Sequence, residues 1–134
     1  MNFLMVAIFI FIIHYIGDWL LQSRKVADNK SKSLNMLLYH ANIYCLTLFV
    51  GSLLWCISWD IILGNGYFSI FCPVFIWWSE VNMIFHTIQD KITSRYTSRF
   101  YRRKDYKKFF DIIGLDSMLH YITLFVTYQL IIGF

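Results

Sequence analysis

The sequence predicts an all-α integral membrane protein: a four-helix bundle with both termini on the non-cytoplasmic side. Three observations carry this reading. Of 134 residues, 58% are apolar and 15% charged, against about 45–50% and about 25% in a typical soluble domain. The apolar residues fall into four long runs, each exceeding the ~20 residues a helix needs to cross ~30 Å of hydrocarbon. All 12 Lys and Arg fall into two short segments, the one-sided placement that marks a cytoplasmic face. A soluble domain this small has too little interior to hide so much apolar surface. Disorder needs low hydrophobicity and high net charge. One Pro, six Gly and three Cys exclude collagen-like, Pro-rich and disulfide-framework chains.

The elements follow in order. Span one covers about residues 2–22. It has no basic stretch before it and no small-residue cleavage site after it, so it reads as a span and not as a signal peptide. A first basic segment, 23–33, holds Arg24, Lys25, Lys30 and Lys32. Span two covers about 34–58 and is followed by a short turn at 59–66. Span three covers about 67–90. The second basic segment, 91–108, carries eight cations from Lys91 to Lys108 among aromatic residues, as expected of a stretch lying on anionic headgroups or covering a site. Span four covers about 109–133. Lipid offers backbone groups no partners, so the spans are helices, and the short connections make neighbours antiparallel. Residues 1–134 form one domain. The net charge of +4 would suit a nucleic-acid partner, but its placement points to membrane topology instead. Cys56 and Cys72 both approach the outer face; spacing does not decide whether they pair.

Ionisable groups inside a span cost roughly 2.5–3.5 kcal/mol each and call for a function. Here they form a pattern. His14 and Asp18, His86 and Asp90, and Asp116 and His120 are each four residues apart, so each pair shares a helix face. Spans one and three read His then Asp; span four runs the other way and reads Asp then His. His40 joins from span two. At ~1.5 Å per residue, all seven groups converge on the cytoplasmic third of the bundle. Imidazole with carboxylate suits zinc best, and also manganese or iron; seven groups are enough for one or two ions. A metal-free polar network or a proton path uses the same residues. Gln22 continues the His14–Asp18 stripe, and Asn82, Thr123 and Thr127 lie where neighbouring helices satisfy them. Glu80 faces away from His86 near mid-membrane, where a carboxyl is protonated or hydrogen-bonded.

The run His14-Tyr15-Ile16-Gly17-Asp18-Trp19-Leu20-Leu21-Gln22, then Asn29-Lys30-Ser31-Lys32-Ser33-Leu34 leading to His40, resembles a known family. It is the set of small prokaryotic and phage membrane proteins grouped as domain of unknown function 3307. His86, Asp90, Thr93, Ser94 and Arg95 match a further part of its pattern, and Asp116 and His120 the last. The resemblance implies a multi-pass protein of a prokaryotic inner membrane and marks Gln22, Asn29, Lys30 and Arg95 as residues of the cytoplasmic rim. The placement of His and Asp at helix ends is also similar to that of membrane-bound metal-dependent hydrolases.

Three functions compete. One is a metal-dependent hydrolase open to the cytoplasm, with Asp90 and Asp18 as acid–base groups. In that reading Gln22, Lys30, Lys91 and Arg95 hold an anionic lipid headgroup or another phosphate-bearing substrate. The second is a non-enzymatic membrane module that binds a membrane-protein partner or a second copy of itself, its metal or polar network being structural. The third is a proton or ion relay, which the apolar outer halves of the spans disfavour.

Overall fold

A computed structural model describes residues 3–63 and 67–133, the side chains of 63–72 excepted. The described elements are helical. α1, Phe3–Tyr15, is continued by one wide π-helical turn, Ile16–Leu20; then follow α2, Arg24–Asn29, α3, Leu34–Leu63, α4, Tyr67–Arg102, and α5, Tyr106–Ile131. The expected turn at 64–66 and Cys72, the suggested partner of Cys56, lie outside the described residues.

Three stretches are long and apolar enough to cross a membrane: Phe3–Leu20, Leu34–Ile62 and Tyr106–Ile131. α4 is longer than any of them, but its described part carries Glu80, Asn82, His86, Gln89 and Asp90 before its basic end. Composition alone does not mark it as a span.

The two basic segments differ from the expected picture. Segment 23–33 contains α2, capped by Ser23, whose hydroxyl accepts from the Val26 N–H and whose neighbour Val26 is buried. Segment 91–108 is not a separate element. Nothing in 91–102 breaks a helix, so α4 runs on to Arg102 and only residues 103–105 turn the chain. Lys104 takes the left-handed conformation there, with φ 58°. Asp105 then caps α5 by accepting from the Lys108 N–H.

The exterior is apolar and much of the interior is polar. Phe3, Ile61, Ile62, Trp77, Phe110 and Leu130 are among many large apolar side chains left exposed, while His14, His40, His86, Asp90 and His120 are buried. In water such a surface would far exceed the few hundred Å² that soluble proteins leave open; against lipid tails it costs nothing. Inside, Val6, Phe9, Ile10, Ile13, Tyr44, Leu48, Phe75, Trp78, Leu124 and Tyr128 form an apolar core. Along α1 and α4 that core precedes the His and Asp residues, and along α3 and α5 it follows them. The alternation gives the molecule an apolar half and a polar half.

α1 lies close on α3 because Gly51 has no side chain. A Cβ there would stand 1.5 Å from Ile13 Cδ1 and 2.9 Å from Ile13 Cγ1. Small residues permit such approach between membrane helices. Gly51→Ala is expected to destabilise the fold by about 1–3 kcal/mol through overpacking. Gly114 has nothing within 4 Å of a built Cβ, so Gly114→Ala serves as the neutral or mildly stabilising control. Thermal melts in detergent read both. A Gly51→Ala melt equal to wild type would mean that α1 does not pack on α3 at this point.

Candidate metal centre

Each helix delivers its ligand types to one level. The π-helical turn, closed by the Leu21 N–H to Ile16 O bond of 3.0 Å, ends α1 and holds Asp18 turned inward and buried. Gly17 lets this turn sit on α3: a Cβ there would meet Tyr44 Cδ2 at 3.0 Å. α3 contributes His40, α4 contributes His86 and Asp90 a turn apart, and α5 contributes Asp116 and His120.

The tightest group is His40, His86, Asp18 and Asp90, all buried, with one donor atom from each lying within 4.8 Å of the others. His40 Nε2 is 3.0 Å from Asp18 Oδ1 and 3.4 Å from Asp90 Oδ2. His86 Nε2 is 3.8 Å from Asp18 Oδ1 and 3.5 Å from Asp90 Oδ2. A tetrahedral ion with bonds of about 2.0–2.1 Å needs donor atoms about 3.3 Å apart. These four distances, 3.0–3.8 Å, lie near that spacing. A second group, Asp18, Asp116 and His120, adjoins the first through the shared Asp18. There His120 Nε2 is 3.4 Å from Asp116 Oδ1 and 3.6 Å from Asp90 Oδ1.

The cluster also leaves buried atoms without hydrogen bonds: Nε2 of His14, His86 and His120, and Oδ1 of Asp90. An unsatisfied buried polar atom costs roughly 1–3 kcal/mol, and a bound cation is one partner that would relieve that cost here. The residues thus fit a divalent ion by donor chemistry, spacing and unmet valence.

All seven residues expected at the site come together. His14 lies at its margin: Nε2 is 3.8 Å from Asp18 Oδ2, and Nδ1 is 3.1 Å from the Tyr44 hydroxyl. Of the residues expected to hold substrate, Lys30 and Gln22 reach the cluster. Lys30 Nζ donates to Asp90 Oδ2 at 2.7 Å, and Gln22 Nε2 is 3.3 Å from His40 Nε2. Lys91 and Arg95 are exposed on α4. Asn82 and Trp78 both donate to Thr127 Oγ1 on α5, and Gln89 donates to Thr123, so the neighbouring polar residues tie helices together. Glu80 is exposed beside a groove lined by Asn42 and Cys45.

Two partners of the site were not among its expected residues, although Thr93 lies in the stretch that matches the family pattern. Tyr44 stacks flat on His86, with ring centroids 3.9 Å apart. Thr93 donates to Asp116 Oδ1 at 2.6 Å. Tyr44 is four residues beyond His40 and Thr93 three beyond Asp90, so helical spacing from the ligands was the signal that would have found both.

Lys30 is the cation of the cluster's rim. Burial disfavours its ammonium, yet the Asp90 and Asp18 carboxylates outweigh burial and hold its pKa above the usual lysine range. Because the folded value is raised, the pair's stabilisation is complete below the ordinary lysine pKa. It is lost only as pH rises through the raised value.

Fold and site together define a small helical protein with a lipid-compatible exterior and a buried His/Asp centre. Residues 6–134 match the family described as protein of unknown function (DUF3307), and the chain belongs to that family. No curated protein and no solved structure matches it.

Removing Lys30 leaves Asp90 buried without its cation, a loss of about 3–5 kcal/mol for a broken buried pair. Lys30→Met is expected to melt well below wild type in chelator, and zinc is expected to recover much of the difference. Equal melting of the two proteins in chelator would show that Lys30 does not rest on Asp90.

Proposed function

We propose that the protein is a membrane-embedded, metal-dependent hydrolase acting on a phosphoester, with its His/Asp centre near the cytoplasmic side of a four-helix bundle. The observation that carries this is the convergence of His40, His86, Asp18 and Asp90 at ligand spacing beneath a lysine ammonium. In this reading α4 is the fourth span, both termini lie outside, and the membrane is the inner membrane of a prokaryote. The two basic segments, now the α2 region and the α4–α5 end, then share the cytoplasmic face.

A divalent ion, zinc by donor type, would polarise a phosphoryl oxygen and acidify water at the site. The chain's own residues do the rest. Asp90 has one oxygen without a hydrogen bond and the other on Lys30, so it is a carboxylate able to take a proton while its position is fixed. Asp18, held by His40, is the second candidate for that role. Lys30 and Gln22 stand at the rim where a phosphate would enter, and a phosphate competes with Asp90 for the ammonium. Lys91 and Arg95 face the headgroup layer and would gather an anionic lipid there.

A second reading has its own support. His40, His86, Asp18 and Asp90 supply four protein donors, and four protein donors are the pattern of a closed, structural zinc site. The chain would then be a non-enzymatic module that engages another membrane protein.

Turnover separates the two. Wild-type protein loaded with zinc in detergent should hydrolyse members of a panel of phosphomonoesters and phosphodiesters. Asp90→Asn should lower the rate by about 10²–10⁴-fold while the protein still melts cooperatively. No turnover by wild type across the panel transfers the reading to the structural module. Orientation is tested apart from chemistry. A single cysteine at position 103, in an otherwise cysteine-free chain, should be labelled by an impermeant thiol reagent only after the membrane is opened. Labelling of intact cells or spheroplasts from outside would reverse the topology.

A further inference from the structure

We infer that the cluster takes one divalent ion, not two, and that His120 with Asp116 stands behind His86 as a positioning pair. The inference rests on the metal reading above and decides the stoichiometry that reading leaves open.

The deciding contact is between two imidazoles. His86 Nδ1 and His120 Nδ1 lie 3.3 Å apart and are hydrogen-bonded. A neutral imidazole carries one N–H and one lone pair. In this bond one ring therefore donates from Nδ1 and keeps a bare Nε2, able to ligate. The other accepts at Nδ1, so its proton sits on Nε2, which then donates and cannot ligate. Two ions, one at each group of donor atoms, would need both Nε2 atoms bare. The contact allows only one of them.

The surroundings say which. His86 Nε2 faces His40, Asp18 and Asp90, the buried group with four converging donors. His120 Nε2 faces Asp116 Oδ1 at 3.4 Å and Asp90 Oδ1 at 3.6 Å, both acceptors for an N–H. Asp116 is in turn fixed by the Thr93 hydroxyl at 2.6 Å. The chain of contacts thus runs outward from the ion site: His86 Nδ1–H to His120 Nδ1, His120 Nε2 facing Asp116 Oδ1 at 3.4 Å, and Thr93 O–H to Asp116. A ligating histidine whose far nitrogen is held by a further partner is the usual means of fixing its tautomer and orientation. Tyr44, stacked on His86, holds the same ring in plane.

Metal content per chain, measured by mass spectrometry after loading with zinc and exhaustive dialysis, tests this without any activity assay. Wild type should hold one ion, and His86→Ala and Asp18→Ala none. His120→Ala should still bind one ion, with affinity lowered about 10–100-fold in chelator competition. His120→Asn places an amide oxygen where Nδ1 was and should recover most of that loss. His120→Gln, which reaches toward the Nε2 position instead, should not. If His120→Ala fails to fold, the ranking of the Asn and Gln variants decides in its place. Two ions in wild type, or an affinity higher in His120→Gln than in His120→Asn, would make His120 a ligand and overturn the inference alone. No ion in wild type would remove the metal centre itself.

Discussion

Buried negative charge sets the terms for the polar half of this protein. Asp18 and Asp90 are almost wholly removed from solvent, and carboxylates in a low-dielectric interior are tolerated only when paired and hydrogen-bonded. Each local peculiarity of the chain answers that demand. The π-helical turn re-aims Asp18 inward at the end of α1. α2 folds back so that Lys30, at its C-terminal end, reaches Asp90. The turn that follows is tied to α4 through Ser31 and Ser98, 3.0 Å apart. The imidazoles of four helical elements fill the space between the carboxylates.

The antiparallel order makes such a cluster affordable. Because the chain reverses between successive long helices, a polar end on each can meet at one level while the other ends meet as an apolar core. The core has its own seams: Phe9 against Trp55 at 4.7 Å, Trp78 against Tyr128 at 5.9 Å, and the Asn82–Thr127 hydrogen bond just above His86. In lipid, no hydrophobic force drives helices together, and packing and interhelical hydrogen bonds must do it. The polar network is therefore a source of cohesion as well as a site.

The i,i+4 spacing of the three His–Asp pairs was legible in the sequence because a helix converts spacing into direction without help from tertiary structure. Their common level followed from chain reversal and rise per residue. What was not legible depended on tertiary contact or on helix irregularity. The extra residue of the π-helical turn has no composition signal in Ile16-Gly17-Asp18-Trp19-Leu20, although Gly17 marks the close approach to Tyr44. Lys30 and Lys91 look alike as basic residues beside a span, yet one is buried on Asp90 and the other is exposed; only the fold of α2 distinguishes them. The continuation of α4 to Arg102 is not marked by the apolar pattern, because a run of charge ends an apolar face and need not end the helix.

Asp90 is where structure and chemistry meet. Its Oδ2 lies within reach of Lys30, His40 and His86 at once, and it cannot serve an ammonium and an ion fully at the same time. Were an ion held with Asp90 among its donors, His40, His86, Asp18 and Asp90 would supply four protein donors and Lys30 would give up its hydrogen bond. Were Asp90 to stay with Lys30, His40, His86 and Asp18 would remain as three donors, the number that catalytic sites use. The proposed catalytic reading and the structural one would then differ by the Lys30–Asp90 hydrogen bond of 2.7 Å. In the proposed reading, a phosphate would compete with Asp90 for the Lys30 ammonium, while Lys30 and an ion would compete for the Asp90 carboxylate. Among the described residues, Asp90 is thus the one carboxylate that the lysine and both ring nitrogens, His40 Nε2 and His86 Nε2, approach together.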